Sequence, residues 1–209
     1  MADITIFGVP QSTYVRTARM AAEEKGISHD LQPIELHDPN YRKIHPFGRM
    51  PAMKHGDTVL YETAAITRYI DEAFPGPKLQ PTDMKARAEM TKWISASNAY
   101  FDGYFVRQVL FEKMVKPRFF NQPTDEAVVA KAMPFATEHF AALDAELGKR
   151  PYLAGSEYSL ADMFIAPIMF YAQMLPEGQQ LLKGKNNIGS WFGKVSGRKS
   201  FAATAPKMG

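Results

Sequence analysis

The chain has 209 residues, 45% hydrophobic and 22% charged, with a formal net charge of +3 and no cysteine. This is the composition of an ordinary globular protein with room for one large or two small domains, and the missing thiols exclude disulfides, thiolate metal sites and a cysteine nucleophile. Lys and Arg are scattered apart from Lys183-Gly184-Lys185 and Arg198-Lys199, so nucleic acid is not an expected partner; no apolar run suits a membrane span, and no signal-like segment precedes the first strand, so the expected location is cytoplasmic.

Ile4-Thr5-Ile6-Phe7 is a β-rich run closed by Gly8 and Pro10. From Ser12 to Lys25, Val15, Ala18, Met20, Ala21 and Ala22 give a helix its apolar faces, and Gly26 supplies a stop. Leu31 to Leu36 reads as a second strand, which makes the opening a strand–helix–strand unit with a parallel pair. Pro51–Met53 and Thr58–Tyr61 form a hairpin around the turn His55-Gly56-Asp57, and a helix from Thr63 to Phe74 follows. The order βαβ then ββα is a thioredoxin-like plan.

Pro75-Gly76-Pro77 and Pro81 break the chain, and strand patterns then vanish. Helical stretches are expected over Lys85–Phe111, with Trp93, Tyr100, Phe101, Tyr104 and Phe105 at helical spacing, and over Asp125–Leu147. Ser159 opens a further helix as its cap, with Asp162 as the reciprocal partner, and Pro167 should kink it. A last helix carries Ile188, Trp191, Phe192 and Val195. The expected fold is α/β plus all-α: a thioredoxin-like N-terminal domain over 1–77, a linker over 78–86, and an all-helical domain over 87–209.

Two segments suit a small acidic peptide held in an extended pose. In His45-Pro46-Phe47-Gly48-Arg49-Met50-Pro51, Pro51 cannot donate to a ladder, and a cis Met50–Pro51 bond turns the Met50 peptide groups outward to pair with a ligand. Glu62-Thr63 then opens a helix whose first N–H groups are free to meet a carboxylate. For each residue the ordinary structural role stands alongside: Met50 as an edge-strand residue, Glu62 as an acid at a helix start, and Ser12 as a helix cap.

These residues resemble the cytosolic glutathione transferases. His45-Pro46-Phe47-Gly48-x-x-Pro51 is similar to that family's Asn-Pro-x-Gly-x-Val-Pro segment, Glu62-Thr63 to its Glu-Ser pair, and Leu153-Ala154-Gly155 with Ser159-Leu160-Ala161-Asp162 to its helical-domain signature. Phe7 stands where tyrosine classes carry their hydroxyl, and cysteine classes are excluded by composition. Ser12 with Arg16 matches serine classes, so the chain resembles a phi- or theta-like, bacterial-style member.

The resemblance implies an enzyme that takes glutathione as co-substrate, needs no metal, and conjugates or reduces small hydrophobic electrophiles. Ser12 would stabilise the thiolate, with Thr13 and Tyr14 as neighbouring hydroxyls and Thr13 as the rival for the role. Glu62 would pair with the ligand ammonium, Thr63 would take the γ-glutamyl carboxylate, and Met50 would contribute backbone only. His37 and Arg49 are the candidates for the glycyl carboxylate; Asp38 stands where a Lys is common. Tyr100, Tyr104 and Arg107 would line the second-substrate pocket, or pack in the core or at a dimer contact. A homodimer is expected, and His45 and Asp162 read as structural. Two other readings are a non-catalytic binding or scaffold relative, and a narrow-specificity glutathione-dependent dehalogenase or isomerase.

Overall fold

The structure is a computed structural model that describes residues 3–35 and 37–207. By contact the chain divides into two compact units: residues up to Pro81 together with those from Ser196 onward, and Thr82–Val195.

The first unit is built on a four-stranded sheet of β1 (Ile4–Phe7), β2 (His29–Gln32), β3 (Ala52–His55) and β4 (Thr58–Tyr61), in the order β2-β1-β3-β4. β1 runs parallel to β2 and antiparallel to β3, and β3 is antiparallel to β4. Ile4 and Ile6 are buried on one face of β1, as period-two alternation requires. β2 begins and ends earlier than Leu31–Leu36: it pairs from His29 opposite Ile4 to Gln32 opposite Phe7, and Pro33 has no N–H to continue the ladder. Leu36 lies outside the described residues. β3 extends to His55, leaving Gly56 and Asp57 as the turn.

Helix α1 (Thr13–Lys25) starts at the Ser12 cap and ends at Gly26, whose φ of 69° is the left-handed stop that glycine favours. Helix α2 (Pro39–Ile44) is absent from the sequence reading; Asp38 caps it by accepting the Asn40 amide at 2.9 Å, and Pro39 sits in its first turn. Helix α3 (Thr63–Ala73) packs against α1, with Ile66 and Ile70 fully buried. The buried Lys25 ammonium joins α1 to α3 and to the proline-rich segment, donating to Asp71 Oδ1 at 3.1 Å and to the carbonyls of Asp71 and Pro77 at 3.0 Å each. Asp71 in turn accepts the Leu79 amide at 2.9 Å and Gln80 Nε2 at 3.0 Å.

The second unit is helical. Helix α4 (Met84–Ala96) runs into a π-helical segment (Ser97–Val115) and then α5 (Lys116–Phe120), so the expected single helix changes its winding after Ala96. Ser97, Phe101, Phe105 and Val109–Leu110 are the buried residues of that segment besides Glu112, a spacing of four that lies between the α-helical and the wider π-helical turn. The backbone N–H of Lys116 bonds the Phe111 carbonyl, five residues back, as that winding requires.

Helix α6 (Glu126–Leu147) has Asp125 as its cap. Helix α7 (Leu160–Met174) runs through Pro167 and is buried along most of its length. The short α8 (Pro176–Leu182) was not foreseen, and α9 (Asn186–Ser196) carries the expected apolar residues. The Ser159–Asp162 capping box is present, and Asp162 also accepts the Leu153 amide at 3.0 Å and the Trp191 indole N–H at 2.8 Å.

The sequence reading assigns all of 87–209 to the helical domain. Instead, the end of the chain folds with the first unit through α10 (Lys199–Ala203). Glu24 explains why: it accepts Arg198 Nε at 2.7 Å and Nη2 at 2.6 Å, and the Ser200 hydroxyl at 2.5 Å. The buried Arg16 guanidinium lies 3.9 Å over the Phe201 ring and donates to the Phe201 carbonyl at 2.9 Å.

Candidate functional site

The sheet register decides which residues meet. Phe7 ends β1, Ala52 begins β3 opposite it, and Tyr61 ends β4 opposite Ala52. Three chain segments therefore leave the same end of the sheet: the loop to Ser12, the Arg49-Met50-Pro51 entry to β3, and Glu62-Thr63 after β4. Gln32, paired with Phe7, ends β2 there too, and the segment toward His37 follows it.

Gly8 shows how tightly the first two segments approach. Its φ is 153°, and a Cβ at that position would lie 2.4 Å from Val15 Cγ2 and 3.4 Å from Met50 Cβ. Only glycine lets the turn into α1 pass so close to the Met50 arm.

Ser12 is the N-cap of α1, with φ −68° and ψ 128°, and its Oγ accepts the Val15 amide at 3.4 Å. The capping role is real, but a hydroxyl carries a proton besides its acceptor lone pairs, and capping uses only the latter. The side chain thus sits at the positive end of the α1 dipole with an O–H to give. Thr13 is buried as the first helical residue. Tyr14 is half-buried one position further on.

The Met50–Pro51 bond is cis, and Met50 precedes the first paired residue of β3. The loop before it is closed by short hydrogen bonds: Gly48 N–H to the His45 carbonyl at 2.8 Å and Tyr41 O–H to the Arg49 carbonyl at 2.6 Å. Arg49 has an exposed side chain.

Glu62 has a φ of 71° and ψ of 118°, a backbone state that a side chain disfavours, and its exposed carboxylate makes no capping bond. Such a residue is held in place by its surroundings, here the end of β4 and the start of α3. Thr63 is the buried first residue of α3, where the leading amides have no partner four residues back. Carboxylate recognition at that helix start and ammonium recognition by Glu62 are chemically available side by side.

His37 is exposed in the turn before α2, and Asp38 is occupied as that helix's cap, which accounts for an acid at a position where the resemblance led us to expect a base. His45 is buried, with its ring 4.9 Å from that of Tyr61 and its Nδ1 without a hydrogen-bond partner. Burial holds its imidazole below the ordinary value; the Glu62 carboxylate opposes that shift and Arg49 adds to it.

In the helical unit, Tyr104 stacks on Phe135 of α6 at 4.6 Å, and Arg107 is paired with Asp102. Tyr100 borders a hollow of about 300 Å³ with Trp93, Phe101 and His139, a set that does not include Tyr104 or Arg107. Among the described residues no cluster of three or more His, Asp or Glu side chains is arranged for a metal ion, and no helix is long and apolar enough to cross a membrane.

Sequence reasoning does not reach the Tyr41–Arg49 contact, because it predicts no helix over Pro39–Ile44. Asp38-Pro39, a cap followed by proline, was the available signal for that helix.

The fold is a thioredoxin-like unit followed in the chain by a helical one. The family model described as "Glutathione S-transferase, C-terminal domain" matches residues 58–199, and that described as "Glutathione S-transferase, N-terminal domain" matches residues 6–78. The chain belongs to the glutathione S-transferase family. It is 28% identical to glutathione S-transferase 3 of Zea mays, over 98% of this chain and 94% of that one. The structure of glutathione S-transferase III in its apo form superposes with a TM-score of 0.88 at 28% identity, covering 97% of this chain and 95% of that one. The theta class glutathione S-transferase of Xanthomonas axonopodis pv. citri, solved with glutathione bound, gives 0.81 at 26% identity and 98% coverage of both chains.

Proposed function

We propose that this family member is a glutathione transferase of the serine type, binding glutathione at the shared end of the sheet and activating its thiol with Ser12. The observation that carries the reading is the convergence of the α1 start, the Met50 arm and the Glu62–Thr63 turn at one sheet end. The Zea mays relative is named a glutathione S-transferase and the Xanthomonas structure holds glutathione, which supports the same ligand here.

In this reading the Glu62 carboxylate pairs with the ligand ammonium, and Thr63 gives its hydroxyl and amide to the γ-glutamyl carboxylate. Met50 pairs with the cysteinyl backbone, beside Pro51, and Arg49 or His37 meets the glycyl carboxylate. A free thiol of pKa about 8.5 is mostly protonated at neutral pH, and each unit by which the site lowers it is worth about 1.4 kcal/mol. Ser12 and the α1 dipole favour the thiolate, which attacks an electrophilic carbon or a peroxide oxygen.

The second substrate is a small hydrophobic electrophile, and Tyr104 and Arg107 belong to its site. The active form is a cytoplasmic homodimer. The dimer is supported by large apolar side chains left on the surface of a single chain, among them Phe47 at 68% and Met84 at 80% exposure. Titrating the thiolate absorbance of bound glutathione tests the chemistry: the bound thiol should ionise below the free value, and an unshifted titration contradicts it.

A further inference from the structure

We infer that Tyr41 is a positioning residue for glutathione, its hydroxyl setting the direction of the Arg49–Met50 peptide that receives the ligand backbone. The inference rests on the proposed role of Met50 as the backbone arm of the site. Tyr41 lies in α2 and is 4% exposed; its O–H donates to the Arg49 carbonyl, eight residues on, at 2.6 Å. Burial pushes its phenol up to about 12, so the group remains a proton donor throughout the neutral range.

The Arg49–Met50 peptide is planar and trans, so its N–H points opposite to its carbonyl. Fixing the Arg49 oxygen toward Tyr41 therefore fixes the Met50 N–H on the far side of the same plane. The rest of the loop is held without help from that hydroxyl. The His45 amide bonds the Tyr41 carbonyl at 2.9 Å, and the Gly48 amide bonds the His45 carbonyl at 2.8 Å. The Tyr41 ring packs 6.4 Å from Phe7 and 6.3 Å from His45. These contacts shape the turn over residues 45–48, and the peptide after it is the part left to the phenol.

Tyr41→Phe keeps the ring and removes only the donor. The expected result is a glutathione Kd and KM raised by a factor of about three to ten, with kcat at saturating glutathione and the melting temperature close to wild type. The Met50 amide resonance should move in the ligand-free variant and respond less to added glutathione. An unchanged Kd, a lowered kcat at unchanged KM, or loss of the fold by circular dichroism overturns the inference. Failure of the wild-type protein to bind glutathione overturns instead the proposed function on which it rests.

Discussion

The Ser12 hydroxyl oxygen accepts the Val15 amide at 3.4 Å, and accepting through a lone pair leaves the hydroxyl's own proton to donate. Ser12→Ala should then separate two quantities. Turnover should fall by about ten- to a hundredfold, the worth of a hydrogen bond to a charged group, while glutathione affinity changes by less than about threefold. Lost capping should cost about 0.5–1 kcal/mol of stability. Steady-state kinetics with a chloronitrobenzene-type substrate measures the first quantity and calorimetry the second; a Thr13→Ala protein that loses turnover while Ser12→Ala keeps it would move the role to Thr13.

Glu62 holds a φ of 71° that glycine adopts freely and a glutamate only at a cost. Glu62→Gly should therefore keep or raise the melting temperature, since a strained non-glycine residue costs about 1–3 kcal/mol, partly offset by glycine's added unfolded-state entropy. The same change removes the carboxylate for the ligand ammonium, so glutathione affinity should fall by about tenfold or more. Thermal unfolding and calorimetry on one variant check both arms, and a destabilised protein with intact affinity contradicts the assignment.

Asp162 is buried and accepts from Leu153, Ser159 and Trp191. Asp162→Ala orphans several buried donors together, at about 1–3 kcal/mol each, and most of a small domain's stability should go with them. Circular dichroism should show the variant largely unfolded; a melting temperature near wild type would show that the box contributes little.

Burial holds His29, His45 and His139 below the ordinary imidazole value of 6.5. As pH falls through 6.5 the unfolded chain takes up these protons before the folded one does, so stability decreases from there downward and levels off below the lowered folded values. Melting temperature followed from about pH 8 to about pH 5 should drop across this window, and His45→Asn should shallow the slope by the share of one group. A slope unaffected by that substitution shows that His45 does not contribute to it.

Much of the first unit can be read from local signals. Ser12 and Gly26 bracket α1, and the hairpin around Gly56 is marked by its turn residues. The bounds of β2 escape local reading because alternation in its neighbourhood is weak and Pro33, not a glycine, follows it. Tyr41 was invisible because α2 is only six residues long, below the length at which apolar periodicity registers. The π-helical winding from Ser97 to Val115 carries an apolar spacing near that of an α-helix, so type and existence separate there. The attachment of α10 depends on Glu24, Arg16 and their partners more than 170 residues away, as the Arg198 and Ser200 bonds span 174 and 176 positions, and no local pattern encodes that pairing. The candidates at Met50-Pro51 and Glu62-Thr63 are marked by motifs, whereas the Tyr41–Arg49 contact exists only in three dimensions.

In the proposed function the shared end of the sheet binds glutathione, and Ser12 activates it. Isothermal calorimetry of the wild-type protein with glutathione, repeated with Glu62→Ala, tests it most directly. Saturable one-to-one binding per chain is expected for the wild type, weakened by about tenfold or more in the variant. Absence of binding heat across the accessible glutathione range, or equal affinity in both proteins, contradicts it.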